Sequence, residues 1–573
     1  MNVASKKTIA VEPPDDEAAL TLDSVLGGAV PFAELNLEEI LAAYTDLAAS
    51  LMARPERLWS TFSRLTADLI SIAAGSADFQ PEQGDRRFSD PTWEENPFYR
   101  RLRQSYLAWR GAAYGLISPV ADGGTAWKAP ARQRFALQLL VEALAPTNTL
   151  AGNPAALKRV FETGGASLMH GLRNFLDDLW NNAGMPAQVD KRPFKVGETI
   201  AATPGAVIYR DELCEVIQYS PATRQVRARP LLVVPPQINK FYVMDLAPKR
   251  SLIEYAAGRG MQVFTISWRN PGPEFRDKGL DDYVAAIKQA TAVVSEITGS
   301  PDLNLLAVCS GAITTALASG HLAARGDRRI NSATLLVTML DSGESSMTGM
   351  FATEETVRAA CIRSREKGML DAGAIGRLFA WLRPNDLVWN YWVNNYLMGK
   401  DPAPFDILYW NADGTNLPAA LHAGFLDLLL RNPLLEPNQV KILGTPINLP
   451  AVTHDLYVLS GLNDHICAWR AGYRAAGLFG GRAEFVLNSS GHVQSLVSPP
   501  GNFKAKYFTN PRLEATPDRW LESATEHKGS WWDHWLEWLE ARSGDLRSAP
   551  ETLGAPQFPT LAPAPGTYVH QTP

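Results

Sequence analysis

The chain has 573 residues, 46% of them hydrophobic and 20% charged, with a formal net charge of −6. This is enough apolar material for a large core and more than one domain. The mildly acidic balance argues against nucleic acid as a main partner, because phosphate recognition needs a concentrated basic field. No apolar run approaches the roughly 18 residues of a membrane-spanning helix, and the opening MNVASKK leads into TIAVEPPDDEAAL rather than a signal-peptide core. Cys214, Cys309, Cys361 and Cys467 are far apart and form no CxxC pair. That argues against a disulfide framework and a zinc site, so the expectation is a cytoplasmic protein with reduced thiols and no metal.

Residues 1–30 are polar, acidic and proline-containing, the composition of a loose tail. From Asn36 the apolar positions recur at helical spacing: Leu37, Ile40, Leu41, Tyr44, Leu47 and Leu51, then Leu58, Phe62, Leu65 and Leu69. Asn36 with Glu39 resembles a capping box. Further helices are predicted over 97–117, 131–145 and 154–183. No strand pattern precedes about residue 205, so residues 31–204 read as a helical N-terminal domain.

The pattern changes near Ala206. AVIYRDELCEVIQYSP and RPLLVVPP read as strands, the second ended by its prolines. Helix KRSLIEYAAGRG, strand MQVFTISW, helix LDDYVAAIKQATAVVSEITG, strand LNLLAVC, helix GAITTALASGHLAARG and strand SATLLVTMLDS follow in order. Such alternation predicts a mainly parallel sheet with helices on both faces. It breaks over about 343–450, a Trp-rich stretch expected to form a cap, and resumes with HDLYVLSGLND and AEFVLNSSGH. Residues 205–573 therefore read as an α/β catalytic domain carrying a cap insertion.

The sharpest chemical signal is Ala307-Val308-Cys309-Ser310-Gly311, where an apolar strand runs into Cys309 and a helix starts at once. This is the pattern of the nucleophile elbow of the α/β-hydrolase fold, with Cys in place of Ser and Ala307 in place of the usual first Gly. Asp464 ends one later strand and His492 follows another. The order nucleophile, acid, His is that of the same fold, and both partners stand at strand C-terminal ends. Asp341, which also ends a strand, is the rival acid. His465 reads as a supporting histidine, and Ser310 fails the glycine spacing required of a nucleophile. Cys214, Cys361 and Cys467 read as ordinary buried thiols, and Trp531, Trp535 and Trp538 as core. The Ser310 backbone N–H supplies one oxyanion donor in this reading, and the loop VVPPQINK a second, from Gln237 or Ile238.

A thiol nucleophile suits a thioester substrate. Acyl transfer from coenzyme A to Cys309 exchanges one thioester for another and keeps the acyl group activated, after which a hydroxyl can attack it to form an ester. Water must be kept out, which the cap over 343–450 can do.

Ten stretches carry a resemblance to the polyhydroxyalkanoate synthases, which covers the chain from about residue 89 to its end. Among them are DPTWEENPFYRRL, RPLLVVPPQINKFYVMDLAP, LRPNDLVWNYWVNNYL, FDILYWNADGTNLP, GLNDHICAW, SSGHVQSLVSPPGN and HKGSWWDHWLEWLEARSG. The resemblance implies polymerisation of (R)-3-hydroxyacyl-CoA into polyester with release of CoA, on an α/β-hydrolase fold. It also implies a homodimer at the granule surface and the triad Cys309, Asp464 and His492, with the Asp active mainly during elongation. CoA thioester is then a substrate, and no cofactor is expected. The wording PPQINK, WVNNYL and GHVQS is most like the single-subunit medium-chain class. Ala307 and Ala312 depart from the glycines usual at those positions and bear on how the elbow packs. The alternatives are a thioesterase or polyester depolymerase with the same triad, and a non-catalytic granule-binding protein.

Overall fold

The computed structural model describes residues 37–82, 84–117, 127–343, 349–464 and 466–572. The loose tail expected over 1–30, the Asn36 cap and His465 lie outside these residues. The chain forms two compact units: Leu35–Asp190 with Arg377–Phe405, and Lys191–Gly376 with Asp406–Pro573.

The first unit is helical. Its principal helices are Leu37–Met52, Pro55–Ala74, Pro97–Gly115, Lys128–Ala143, Pro154–Glu162 and Ala166–Asn181. Two of them start on an Asn-Pro pair. The Asn96 carboxamide oxygen accepts from the Phe98 N–H at 2.9 Å and that of Asn153 from the Ala156 N–H at 3.1 Å, while Pro97 and Pro154 begin the helices. Proline costs nothing there because the first-turn N–H groups have no helical partner. The single helix expected over 154–183 is broken at Gly164 and Gly165, both at positive φ (57° and 87°). The core gathers Leu47, Phe88, Trp93, Tyr106, Leu137 and Val141. Beside it the half-buried Arg87 guanidinium meets Asp85 at 2.7 Å and also pairs with Glu142.

The cap expected as one piece over 343–450 is divided. Residues 377–405 fold with the helical unit, through two π-helical turns, Asn385–Trp389 and Trp392–Leu397. Their polar groups explain the allocation. The Tyr396 hydroxyl donates to Asp178 at 2.8 Å, the Trp392 indole to the Asn148 carbonyl at 3.1 Å and Asn395 to the Ala187 carbonyl at 2.7 Å. Gly171 lets the backbones meet: a Cβ there would lie 1.9 Å from the Tyr396 carbonyl oxygen. The remainder of the stretch stays with the second unit, including helices Glu354–Lys367 and Ala419–Arg431.

The second unit is built on an eleven-stranded sheet. Its strands are β1 (Gly205–Arg210), β2 (Cys214–Tyr219), β3 (Leu231–Val234), β4 (Val263–Trp268), β5 (Leu303–Val308), β6 (Ile330–Leu336), β7 (Asp455–Gly461), β8 (Ala483–Asn488), β9 (Lys506–Thr509), β10 (Thr525–Lys528) and β11 (Ala562–Pro563). Their spatial order is β10-β9-β8-β7-β6-β5-β3-β4-β2-β1-β11. The six strands from β8 to β4 pair in parallel and the flanks are antiparallel. The parallel strands are apolar and almost wholly buried, as helices on both faces require. The α/β-hydrolase fold expected from the alternation is thus present, with a helical unit before it. Three strands escaped the sequence reading. β9, β10 and β11 are two to four residues long, and β10 reads TEHK, a charged edge without hydrophobic alternation.

Candidate active site

All parallel strands end at one edge of the sheet, so the loops after β3, β5, β6, β7 and β8 converge there. After β5 the chain turns within one residue. Cys309 has φ 53° and ψ −117°, and helix Ser310–Ala324 begins immediately. A non-glycine residue in that region costs on the order of 1–3 kcal/mol and persists only where neighbours over-determine it. Here they do. The Cys309 N–H donates to the Leu336 carbonyl at 2.9 Å. The Cys309 carbonyl accepts from the Ala312 N–H at 2.9 Å and the Thr338 hydroxyl at 3.2 Å.

The glycine two residues on is required. A Cβ at Gly311 would lie 2.5 Å from the Pro235 carbonyl oxygen and 2.6 Å from that of Val234. The helix can therefore press onto the end of β3 only if that side chain is absent. Ala307 is different. It is fully buried in β5, opposite Val234 and Leu335, and the pairing on both sides runs through it without a shift. Its methyl group is absorbed by the sheet.

Asp464 and His492 come together from the loops after β7 and β8. The His492 Nδ1 lies 2.6 Å from Asp464 Oδ2, and both side chains are buried. The other carboxylate oxygen accepts from the Ile466 and Cys467 N–H groups, each at 2.9 Å, which fixes its rotamer. The two loops are laced together: the Leu462 N–H donates to the Asn488 carbonyl at 2.7 Å and the Asn463 carboxamide to that of Ser489 at 2.9 Å. The His492 turn is braced from behind by the C-terminal helix Trp531–Glu540. The Trp531 and Trp532 indoles donate to the Ser495 and Leu496 carbonyls at 2.6 and 3.2 Å. The tryptophans read as core are indeed buried.

Burial by itself would lower the imidazolium of His492. The Asp464 carboxylate, by charge and by hydrogen bond, outweighs it with help from the Cys467 thiol and pushes the group up to about 10. The rival acid is committed elsewhere. Asp341 is held by Arg474, by the Asn432 carboxamide at 2.7 Å and by the Gly343 N–H at 2.9 Å. Against the opposing effect of burial, these contacts keep its carboxyl below the usual range.

Cys467 is not the ordinary core thiol that the sequence suggested. Its sulfur lies within 4.8 Å of the Asp464 carboxylate and a His492 ring nitrogen, and the neighbouring Cys309 thiol, followed by burial, lifts it well above the usual thiol range. It links the elbow to the Asp–His pair. Its only sequence signal is its place three residues after Asp464, in the loop that must face the nucleophile. Cys214 is buried within β2, and Cys361 is half-buried on helix Glu354–Lys367. Cys309 and Cys467 share a cavity of about 30 Å³ walled by Ile313, Met339, Leu340, Phe425, Leu428 and Leu434.

Of the two second oxyanion donors considered, Gln237 is engaged: its N–H donates to the Ser310 hydroxyl at 3.1 Å. The Ile238 N–H has no hydrogen-bond acceptor among the described residues, although its carbonyl accepts from the Thr415 N–H at 2.9 Å. The Ser310 N–H opens its helix and is one of the donors a helix start leaves unpaired. One metal-ligand grouping exists among the described residues. Single ligand atoms of Asp464, Cys467 and His492 lie within 4.8 Å of one another, with the carboxylate and one imidazole nitrogen already bonded to each other.

The pair carries a pH signature. The His492 imidazole takes up its proton near 6.5 when unperturbed and near 10 in the fold. Its stabilisation is therefore complete below about pH 6.5 and is lost as pH rises through about 10. Asp464→Asn removes the charge that raises the group but leaves the burial that lowers it. The expected results are a lower midpoint for His492 by NMR of labelled histidine, and a gap in Tm between the two proteins that narrows from pH 7 to above pH 10. An unchanged midpoint would show that Asp464 does not control the imidazole.

Comparison with known proteins follows the same lines. The family described as poly-beta-hydroxybutyrate polymerase (PhaC) N-terminus matches residues 84–256, and the alpha/beta hydrolase fold family matches residues 230–499. Poly(3-hydroxyalkanoate) polymerase 2 of Ectopseudomonas oleovorans is 50% identical over 93% of this chain and 95% of its own. Polymerase 1 of the same organism is 46% identical over 97% of each. The poly(3-hydroxyalkanoate) polymerase subunit PhaC of Cupriavidus necator is 38% identical over 91% of this chain and 90% of its own. With such identity over nearly its whole length, and an α/β-hydrolase sheet beneath the site, this chain belongs to the poly(3-hydroxyalkanoate) polymerases, a family of acyltransferases.

Proposed function

We propose that this enzyme polymerises (R)-3-hydroxyacyl groups from their CoA thioesters into polyester and releases CoA, with the growing acyl group held as a thioester on Cys309. The observation that carries the reading is the buried Asp464–His492 pair, joined through Cys467 to a thiol on a strained elbow. The Cys309 thiol gives its proton to His492 as its sulfur attacks the thioester carbonyl, and the developing oxyanion is met by the Ser310 and Ile238 N–H groups. The C–S bond to CoA breaks and His492 protonates the leaving thiolate. In elongation the 3-hydroxyl of a second unit gives its proton to His492 and attacks the acyl carbon. An ester forms and the Cys309 thiol is regenerated.

The apolar cavity walls support polymerase over hydrolase, since water competes with the hydroxyl for the same acyl group. They also suit medium-chain monomers, each buried methylene contributing about 0.8 kcal/mol. A cavity of about 30 Å³ admits little more than solvent-sized bodies, so an acyl chain enters by parting those walls.

Association with polyester granules in the cytoplasm, as a homodimer, completes the proposal. The helical unit exposes apolar side chains at helical spacing: Met169, Leu172, Leu176 and Leu179 on helix Ala166–Asn181, and Trp59, Phe62 and Ile70 on helix Pro55–Ala74. Trp59 is 72% exposed and Met169 67%, which a water-facing helix does not need and a polymer surface would cover. No helix among the described residues is long and apolar enough to cross a membrane.

Cys309→Ala is expected to release no CoA, whereas Cys214→Ala and Cys361→Ala keep turnover. Asp464→Asn is expected to give a burst of about one CoA per site and then a stalled steady state, because a hydroxyl needs the basic pair more than a thiol does. Turnover by Cys309→Ala would end the assignment, and loss of the burst would leave Asp464 with an orienting role alone. For the surface, Leu172→Glu with Leu176→Glu should cut sedimentation with polyester granules several-fold at unchanged CoA release, and undiminished sedimentation would move attachment elsewhere.

A further inference from the structure

Cys467 stands between the Asp–His pair and Cys309 but carries no acyl group in the chemistry above. It faces the same cavity as Cys309, and its sulfur lies within 4.8 Å of both the Asp464 carboxylate and the His492 ring nitrogen. The two cysteines line one cavity whose other walls are apolar apart from Ser342. Neither can drift far along the backbone. Cys309 is pinned at the elbow, and the Cys467 N–H is bonded to Asp464. A second thiol fixed beside a nucleophilic thiol is the arrangement by which redox-sensitive cysteines resolve their first oxidation product.

We infer that Cys309 and Cys467 are a modification site for hydroperoxides, closing reversibly into a disulfide that disarms the enzyme. In the first step the Cys309 sulfur attacks one oxygen of the hydroperoxide ROOH. The O–O bond breaks, the alcohol or water ROH leaves with a proton, and Cys309 becomes a sulfenic acid. In the second step the Cys467 sulfur attacks the sulfenyl sulfur. The S–O bond breaks and hydroxide departs as water with the Cys467 proton, which His492 is placed to carry. The two thiols together lose two electrons to the one O–O bond. A dithiol reverses the change by exchange and is itself oxidised to its disulfide.

The cavity of about 30 Å³ accepts a molecule the size of hydrogen peroxide without the opening that an acyl chain demands. The nucleophile is thus reachable by a small oxidant even between substrates. Without a neighbour, its sulfenic acid would proceed to the sulfinic acid, which thiols do not reverse. Cys467 intercepts that course. Its closeness to Cys309 then serves to preserve the nucleophile through oxidative conditions.

The test uses the full chain, reduced, freed of reductant and treated with hydrogen peroxide near stoichiometry. Free thiols are then alkylated, and the protein is digested without reduction and mapped by mass spectrometry. The expected result is a peptide pair joined through Cys309 and Cys467, CoA release lost in step with the joined fraction, and recovery of release with dithiothreitol. In Cys467→Ser the same treatment should place two oxygens on Cys309, beyond rescue by dithiothreitol. Should that variant fail to fold, the peptide map of the unaltered protein decides alone. Sulfinic acid on an unlinked Cys309, or pairing of either cysteine with Cys214, Cys361 or a second chain, overturns the inference. The map needs no turnover. A bond that forms in a protein whose turnover does not depend on Cys309 would fault the reading of Cys309 as acyl carrier, and an active protein in which none forms would fault the switch.

Discussion

The site rests on the backbone of one residue. Cys309 sits at positive φ between a buried strand and a buried helix, a conformation that costs free energy and that the chain adopts only because its surroundings leave no other. Hydrogen bonds from the Cys309 N–H to Leu336 and to its carbonyl from Ala312 and Thr338 hold it, at roughly 1 kcal/mol each. The bare face of Gly311 against Val234 and Pro235 makes the helix start possible. From this turn follow the placing of Cys309 at the sheet edge and the immediate start of helix Ser310–Ala324 after it.

The Asp464–His492 pair is delivered by neighbouring loops of a parallel sheet. Because β5, β6, β7 and β8 run the same way, the chain leaves each of them at the same edge. Asp464 and His492 are delivered there and locked by backbone donors on one side and a tryptophan helix on the other. A carboxylate with three bonded donors cannot swing away, so the imidazole it charges keeps one orientation. The same loop carries Cys467 into contact with the nucleophile. The thiol pair is set by the same geometry that supports the Asp–His pair.

Much of this was legible in the sequence because it is local. The elbow announces itself through an apolar strand, a cysteine and a glycine two residues on, and the strand–helix alternation places Asp464 and His492 at the proper ends. What was not legible depended on distant partners. Nothing near Trp392 or Tyr396 indicates that they belong with Asn148 and Asp178, so residues 377–405 looked like cap. The bond of the Gln237 N–H to the Ser310 hydroxyl, at 3.1 Å, joins residues more than 70 apart in the chain. The edge strands β9 to β11 carry too few apolar residues to show alternation. Cys467 lacks an elbow of its own, so no local pattern marks it.

The central claim is that the acyl group travels on the Cys309 sulfur. An acyl-CoA without the 3-hydroxyl cannot be elongated, so any covalent intermediate should accumulate. After brief incubation and acid quench, mass mapping should find one acyl group per site on Cys309 as a thioester, released by hydroxylamine at neutral pH. An acyl group on Ser310 as an oxygen ester, on any other cysteine, or on no residue at all while CoA is released, would contradict it.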